Sequence, residues 1–277
     1  IPWIVDVGDP FAFMTATPTN NHRLYAGLNA SVERAVIAKA TTVTVTNEAT
    51  GAMYKKLFGH PEKIRVIPPM FTGSLSAPAA GEQQRVENRL VYIGTLNRVI
   101  RSPDRLLAIF DALVRSGNHP GLELHFFGES GDCTASFQGL PAATAARVKV
   151  HGLVSREMAA EAVRSARAVV NIGNATTFQL PSKLVEYAVS GRPIVNLTAG
   201  EGDLSSEFLS GIPHVLTLEA GKSVENDAMA LSDFLVRTEH APAGQPPSQW
   251  LARFTVGAIA DSYLSSVIDN AATHGER

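Results

Sequence analysis

The sequence lacks the features that identify several large classes of protein. Its one cysteine, Cys133, excludes an internal disulfide and suits a reducing compartment. The eight histidines show none of the spacings of a structural zinc site, and no apolar run is long enough to span a bilayer. The 24 basic and 26 acidic side chains nearly balance, so no overall field favours nucleic acid or an acidic membrane surface.

Three common motifs of nucleotide and ester chemistry are missing as well. No G-x-G-x-x-G pattern follows an early strand, which argues against a nicotinamide or flavin oxidoreductase. The Walker phosphate loop and the G-x-S-x-G nucleophile elbow are absent too. What remains is an ordinary globular composition, 45% hydrophobic and 18% charged, in 277 residues, enough for one large or two medium domains.

From residue 90 onward, short apolar runs alternate with helical patterns. Strands that are apolar on both faces and are joined by helices are typical of a parallel sheet covered on two sides. Right-handed crossovers then predict an α/β fold with a doubly wound, Rossmann-like sheet. The predicted strands are 90–93, 122–127, 148–151, 168–172, 193–197 and 214–218.

The remaining patterns predict how the chain is divided into domains. The first 71 residues show three more strands, at 3–7, 42–46 and 64–69, and two helices, at 28–40 and 47–59. We interpret 1–71 as a partial N-terminal domain, 72–88 as a linker rich in Ala, Gly, Ser and Pro, and 89–245 as a second domain. Residues 246–277 are predicted to contain one long amphipathic helix, with Trp250, Phe254 and Ala258 on one side.

The stretch QLPSKLVEYAVSGRPIV contains a short predicted helix with an unusual charge. The helix is expected to begin after Ser182 and to end at Gly191. Its first turn carries Lys183, where the partial positive charge of a helix N-terminus favours an anion instead. Two interpretations stay open. Lys183 and Glu186 form a solvated ion pair, or a diphosphate binds the 182–184 amides and Lys183 while Glu186 accepts hydrogen bonds from ribose.

A second candidate for phosphate binding is the turn after the strand at 90–93. In open parallel sheets, ligands bind at the carboxyl ends of the strands. Glycine there allows close backbone approach, and arginines near a helix start can grip phosphate. The turn contains Gly94, Thr95, Asn97, Arg98 and Arg101.

Three segments together resemble the C-terminal half of GT-B glycosyltransferases, most closely the retaining family four, also called glycosyltransferase group 1. The segments are YIGTLNRVIRSPDRLLAIFDAL, VKVHGLVSREMAAEAVRSARAVVNI and FQLPSKLVEYAVSGRPIV. Their order and spacing fit over about residues 90–215. Segment 1–71 resembles the last part of the family's N-terminal acceptor domain, and the final helix resembles the one that returns across the cleft.

The resemblance implies a nucleotide-diphosphate sugar as donor, with UDP or GDP as the nucleotide, and implies neither a cofactor nor a metal. Glu186 matches the second Glu of the family's E-x7-E motif, which holds the donor ribose. Lys183 and Arg101 resemble the basic pair on the diphosphate, with Arg98 as the alternative. The nucleotide contacts expected from the match are Gly94, Thr95, Asn97, Arg98, Leu153, Val154, Ser182, Lys183 and Glu186.

The expected reaction is sugar transfer to an acceptor hydroxyl, with Lys183 and Arg101 stabilising the leaving group. Asp9 is a candidate base facing the interdomain cleft, or else starts a turn with Pro10. The family implies a glycan or lipid-linked acceptor in bacterial surface polysaccharide or glycolipid synthesis. It also implies a cytoplasmic location, with association at the inner face of the membrane left open.

Two departures from the family keep alternatives open. Phe178 replaces the first Glu of E-x7-E, which leaves retention of configuration less secure than the donor class. From the resemblance, the chain is also expected to lack the family's first strands. A truncated or degenerate protein that binds nucleotide sugar without transfer is therefore one alternative, and a GT-B sugar-nucleotide 2-epimerase is another.

Overall fold

The computed structural model describes residues 2–14, 21–71 and 86–274. The chain forms two compact units, neither of which is a continuous stretch of sequence. The first unit consists of Ile1–Thr72, Thr176–Leu180 and Ser248–Arg277, and the second of Gly73–Ala175 and Pro181–Pro247. Most of the predicted linker, 72–85, lies outside the described residues, and its last two residues already belong to a strand.

The first unit contains a three-stranded parallel sheet with the order β1-β2-β3. Its elements, in chain order, are β1 (Ile4–Val7), α1 (His22–Lys39), β2 (Thr42–Val45), α2 (Glu48–Phe58) and β3 (Ile64–Val66). The central strand β2 is buried throughout, as expected for a strand with a neighbour on each edge and helices against the sheet. All three predicted strands are confirmed, and α1 begins six residues before the predicted helix start.

The ends of α2 follow from its sequence. The Asn47 side chain accepts a hydrogen bond from the Thr50 N–H at 2.9 Å, which caps the start of the helix. Gly59, with φ of 70°, ends it in the left-handed conformation that glycine adopts most readily.

The prediction of one long C-terminal helix is wrong. The segment forms α10 (Ser248–Ala252) and α11 (Val256–His274), which group with the first unit. Two contacts break the helix. The Phe254 carbonyl accepts a hydrogen bond from the Phe71 N–H at 3.0 Å, and the Thr255 hydroxyl accepts one from the Ala258 N–H at 3.2 Å, which starts α11. Phe254 is fully buried and its ring lies 4.6 Å from that of Trp250, so the predicted aromatic contact is kept.

The second unit is a six-stranded parallel sheet, β6-β5-β4-β7-β8-β9, covered by helices, as the doubly wound prediction requires. The order of the strands reverses between β4 and β7, the position where open α/β sheets bind ligands. The strands are β4 (Glu87–Ile93), β5 (Glu123–Phe127), β6 (Val148–Val150), β7 (Ala166–Ile172), β8 (Ile194–Leu197) and β9 (Val215–Leu218).

The sequence predicts four helices in this unit, at 104–117, 157–166, 183–191 and 204–211, and they are confirmed; the structure adds three more, at 134–138, 142–145 and 224–237. The sequence analysis did not predict α9, which begins at the Ser223 cap and packs its buried Leu231 and Phe234 into the same core as α3. The buried Asp227 of α9 also forms an ion pair with Arg105 of α3. The helices are α3 (Asp104–Ser116), α4 (Thr134–Gln138), α5 (Ala142–Ala145), α6 (Arg156–Ser165), α7 (Leu184–Ser190), α8 (Ser205–Phe208) and α9 (Val224–Arg237).

Candidate functional site

Three glycines bring the carboxyl ends of β4, β5 and β6 together. The Gly94 N–H donates to the Phe127 carbonyl at 2.9 Å, and the Gly128 N–H donates to the Gly152 carbonyl at 2.8 Å. A methyl group on Gly128 would overlap the Gly94 carbonyl, and its φ of 121° is unfavourable for other residues. Gly94, Gly128 and Gly152 thus form a glycine surface in which main chain packs on main chain, and at Gly152 the space that a side chain would fill is open.

The loop after Gly94 is held in a tight turn. The main chains of Asn97 and Arg101 pair through hydrogen bonds of 2.7 and 3.2 Å. The Asn97 side-chain oxygen accepts from the N–H groups of Val99 and Ile100, at 2.9 and 3.0 Å. This oxygen, which the resemblance assigned to the nucleotide, is thus used to shape the loop.

The two arginines of the loop lie in different surroundings. Arg101 donates from Nε and Nη2 to the Asn174 side-chain oxygen at 3.0 and 2.6 Å, and from Nη1 to the Thr95 carbonyl at 3.4 Å. Arg98 is exposed, and its main-chain N–H and its Nη2 both donate to Asp132. The hydrogen bond from that main-chain N–H lowers the pKa of the Asp132 carboxyl. The structure therefore places Arg101 beside Gly94, whereas Arg98 lies against the loop at Asp132.

Tyr187 connects α7 to the end of β4. Its buried hydroxyl accepts from the Ile93 N–H at 2.9 Å and donates to the Ile93 carbonyl at 3.3 Å. Burial raises the pKa of this phenol, and the charges of Glu186 and Arg101 both act on it. The two hydrogen bonds of Tyr187 tie α7, which carries Glu186, to the strand that leads into Gly94.

The charged face of α7 forms an ion pair. Lys183 Nζ lies 2.9 and 2.8 Å from the two carboxylate oxygens of Glu186, and both side chains are partly exposed. Exposed pairs of this kind contribute about 0 to 1 kcal/mol, so an anion can open the pair at little cost. Among the hydrogen bonds of the described residues, none uses the N–H of Ser182 or Lys183. The structure therefore contains the Lys183–Glu186 ion pair, and it also leaves the amides of Ser182 and Lys183 available for the diphosphate of the second interpretation.

The loop that follows β6 presents an apolar side chain to solvent. Leu153 is 73% exposed, although it is a large hydrophobic residue, and Val154 is half-buried. Ser155 begins α6 by accepting a hydrogen bond from the Met158 N–H at 3.2 Å. Leu153 is thus accessible to a ligand, and its contact with a nucleotide base stays a prediction.

Asp9 belongs to the first unit. It lies in a bend after β1, and its carboxylate accepts a hydrogen bond from Gln179 Nε2 at 2.7 Å. The neighbouring Phe178, which stands where the family has a Glu, is fixed in the same unit because its carbonyl accepts from Asn47 and Thr50, at 2.9 and 2.6 Å. Both the catalytic and the turn interpretation of Asp9 remain predictions.

Sequence reasoning missed three residues of this region. Gly128 directly follows a predicted strand, and a glycine at a strand end could have indicated it. Tyr187 was assigned to the core, where it lies, but its hydroxyl has a partner 94 residues away in sequence. Asn174 contacts Arg101 across 73 residues, and no local pattern signals such a contact.

Other functional candidates keep their structural interpretation. His125 is buried and bonds to Glu123 at 2.8 Å and to His151 at 3.1 Å, while the His151 ring stacks on Phe127. Over the described part of the chain, no three His, Cys, Asp or Glu side chains are grouped so that they could hold a metal ion. In the same residues, no helix has the length and apolar character needed to cross a membrane.

Comparison with known families identifies the chain. The profile of the family described as glycosyl transferases group 1 matches residues 87–236, more than half of the sequence. The chain belongs to the group 1 glycosyltransferases. The matched range contains Gly94, Arg101, Lys183 and Glu186 and confirms the resemblance drawn from the sequence. A comparison with curated proteins found no match.

Solved structures show the same GT-B fold. The group 1 chain is similar to WaaG, a glycosyltransferase involved in lipopolysaccharide biosynthesis, with a TM-score of 0.64 and 15% identity over 96% of this chain and 71% of that one. It is also similar to HepE of Anabaena in complex with UDP, with a TM-score of 0.64 and 15% identity over 97% and 72%. The chain is similar to TarM as well, with a TM-score of 0.58 and 15% identity over 86% of this chain and 46% of TarM. The chain thus spans about half the length of TarM.

Proposed function

We propose that the second unit binds a UDP- or GDP-sugar and that the protein transfers the sugar to an acceptor hydroxyl. The observation that carries this proposal is the environment of Arg101. Its guanidinium lies beside the Gly94 turn, at the point where the strand order reverses, and among the residues that the structure describes its hydrogen-bond acceptors are neutral. A cation placed there is suited to a diphosphate.

The chemical role of the site follows from the charge that develops when the sugar leaves. The departing nucleoside diphosphate gains negative charge, and donors fixed in advance stabilise it best. Arg101, Lys183 and the N–H groups at Ser182 and Lys183 supply such donors, and we propose that they do so without a metal or cofactor. Glu186, one turn along α7, would accept hydrogen bonds from the ribose.

The rest of the nucleotide would extend over the glycine surface. Gly94, Thr95 and Asn97 offer main-chain groups to the phosphates, and Leu153 and Val154 offer an apolar contact to the base. We place Arg98 outside this set, because its contacts with Asp132 direct it to another loop.

For the acceptor, we propose a glycan or lipid-linked glycan of the bacterial surface, handled in the cytoplasm or at the inner face of the membrane. The support is the similarity to WaaG, which is involved in lipopolysaccharide biosynthesis. Asp9 remains the candidate base on the acceptor side.

The first experiment measures UDP and GDP binding by calorimetry. Lys183→Ala and Glu186→Ala should each weaken binding of the preferred nucleotide by about 1 to 3 kcal/mol, the usual value for a lost charged hydrogen bond. A matched control is the pair Lys222 and Glu219, which has the same spacing in the same unit, a 2.9 Å contact and greater exposure. Lys222→Ala should leave affinity unchanged. Equal affinities for all variants would remove α7 from the site.

The second experiment tests the metal and the reaction. Binding should persist in excess EDTA, and a strict requirement for magnesium would contradict the proposed cationic grip. Phe178 favours a second candidate function, nucleotide-sugar binding without transfer, because the usual carboxylate is replaced. Donor turnover with glycan acceptors separates the possibilities. Release of nucleotide only with acceptor indicates a transferase, formation of the epimerised sugar nucleotide without acceptor indicates a 2-epimerase, and binding alone indicates the second candidate.

A further inference from the structure

Asn174 holds the Arg101 guanidinium in one orientation. It follows β7 by two residues, its side chain is 5% exposed, and its single oxygen accepts from both Nε and Nη2 of Arg101. The main chains are tied together as well, because the Ala175 N–H donates to the Ile100 carbonyl at 2.8 Å. One edge of the guanidinium is thus fixed by Asn174, and Nη1 is directed to the turn at Thr95 and Gly94.

The neutrality of this contact distinguishes Arg101 from other arginines of the same unit. Arg89 pairs with Glu87 at 3.0 Å, Arg105 pairs with Asp227, and Arg167 lies 3.9 Å from Glu239. Within the described ranges, no carboxylate lies within ion-pair distance of Arg101. An amide oxygen orients a guanidinium as a carboxylate does, but it brings no formal charge.

We infer that Asn174 is the residue that positions Arg101 for the diphosphate while leaving the arginine's charge uncompensated. This inference rests on the proposed function, since it assigns a role toward the same nucleotide. A carboxylate at this position would compete with phosphate for the guanidinium and would repel the anion. Asn174 therefore orients the guanidinium, which an apolar residue cannot do, and adds no negative charge, which an acidic residue would.

Asn174→Asp separates this role from a purely structural one. The variant keeps the acceptor oxygen and strengthens the contact with Arg101, so a structural role predicts an unchanged or more stable protein with normal binding. The positioning role predicts that UDP binds at least tenfold more weakly, whereas uridine, which has no phosphate, binds as before and the melting temperature is not lowered. Asn174→Ala, which removes orientation but not charge, should weaken UDP binding less.

The measurements use the full chain, with calorimetry for UDP and ligand-observed NMR for uridine. Asn118→Asp, an exposed residue of the second unit, is the control for the added negative charge and should leave both affinities unchanged. The double variant Arg101→Ala/Asn174→Ala should bind UDP no more weakly than Arg101→Ala alone, because without the guanidinium the amide has nothing to orient.

Each failure has its own signature. If the wild-type chain binds UDP no better than uridine, the proposed function fails. If the wild type prefers UDP and Asn174→Asp binds it equally well, or if Asn174→Asp loses UDP and uridine affinity to the same degree, the inference is overturned while the proposed function stands.

Discussion

Replacing Tyr187 with Phe tests how α7 is fixed to the sheet. In β4, the last residue paired with β7 is Val91, opposite Val169, while Ile93 is aligned with Phe127 of β5. The Gly94 N–H bonds to β5, so the N–H and carbonyl of Ile93 point to the opposite side of β4. On that side β7 no longer pairs with β4 beyond Val91. The Tyr187 hydroxyl supplies the hydrogen bonds that the neighbouring strand would otherwise make.

The magnitude follows from the groups left behind. Tyr187→Phe removes the hydroxyl that accepts from the Ile93 N–H at 2.9 Å, and the remaining phenyl ring still excludes water from that N–H. An unsatisfied buried donor costs about 1 to 3 kcal/mol. At about 2 kcal/mol per molar urea, the unfolding midpoint of the second unit falls by about 0.5 to 1.5 M.

The assay must report on the second unit alone. Both tryptophans, Trp3 and Trp250, belong to the first unit, so tryptophan fluorescence follows that unit. Hydrogen exchange of β4 peptides, measured over a series of urea concentrations, should detect the loss, with faster exchange at Ile93.

A matched control removes the same atom elsewhere. Tyr54 is a buried tyrosine of the first unit whose hydroxyl donates to Glu33 at 2.5 Å. Tyr54→Phe should change the fluorescence transition and leave exchange in β4 unchanged. The reasoning is refuted if Tyr187→Phe leaves the exchange rate of Ile93 unchanged and lowers the free energy of unfolding by less than about 0.3 kcal/mol.

Two further predictions concern other parts of the second unit. Gly128→Ala should destabilise the unit by about 1 to 3 kcal/mol or more and abolish nucleotide binding, because its methyl group would overlap the Gly94 carbonyl at a φ of 121°. Gly139→Ala, whose methyl group would meet only the Ala135 carbonyl oxygen at an ordinary contact distance of 3.9 Å, is the control in urea unfolding, and equal midpoints would refute the steric argument. Burial, and then the charge of Arg167, lowers the pKa of His119 below its ordinary value of 6.5. The unfolded chain then binds a proton more readily, so stability is present above pH 6.5 and is lost as the pH falls toward the folded-state pKa. Between pH 7.5 and pH 5.5 the urea midpoint should therefore fall less in His119→Asn than in the wild type. An equal fall in the two proteins would contradict the role of His119.

Local patterns predicted the sheets because each strand is a short apolar run bounded by turn residues. The end of α7 at Gly191 and the cap at Asn47 also follow from local chemistry. The break before α11 does not, because residues 249–271 read as continuous helix, and a hydrogen bond from Phe71 overrides that pattern. The missed α9 had a usable signal in its Ser223 cap and apolar face.

The candidate site divides in the same way. Lys183 and Glu186 were found because a misplaced charge on a helix is visible in the sequence. The choice between Arg98 and Arg101 required the structure, since both have the same side chain and lie three residues apart. What separates them is the neighbour of each, Asp132 for one and Asn174 for the other.

Assignment of Thr176–Leu180 to the first unit has a practical consequence for anyone who would excise the second. A fragment running from residue 86 to 247 would carry these five residues away from the groups that bind them. The Phe178 carbonyl would lose the donors Asn47 and Thr50, and Gln179 would lose the Asp9 carboxylate. These residues run through Pro181 and Ser182 into Lys183, so the loss of their contacts would change how the chain enters α7. Affinities measured on such a fragment would therefore differ from those of the whole chain.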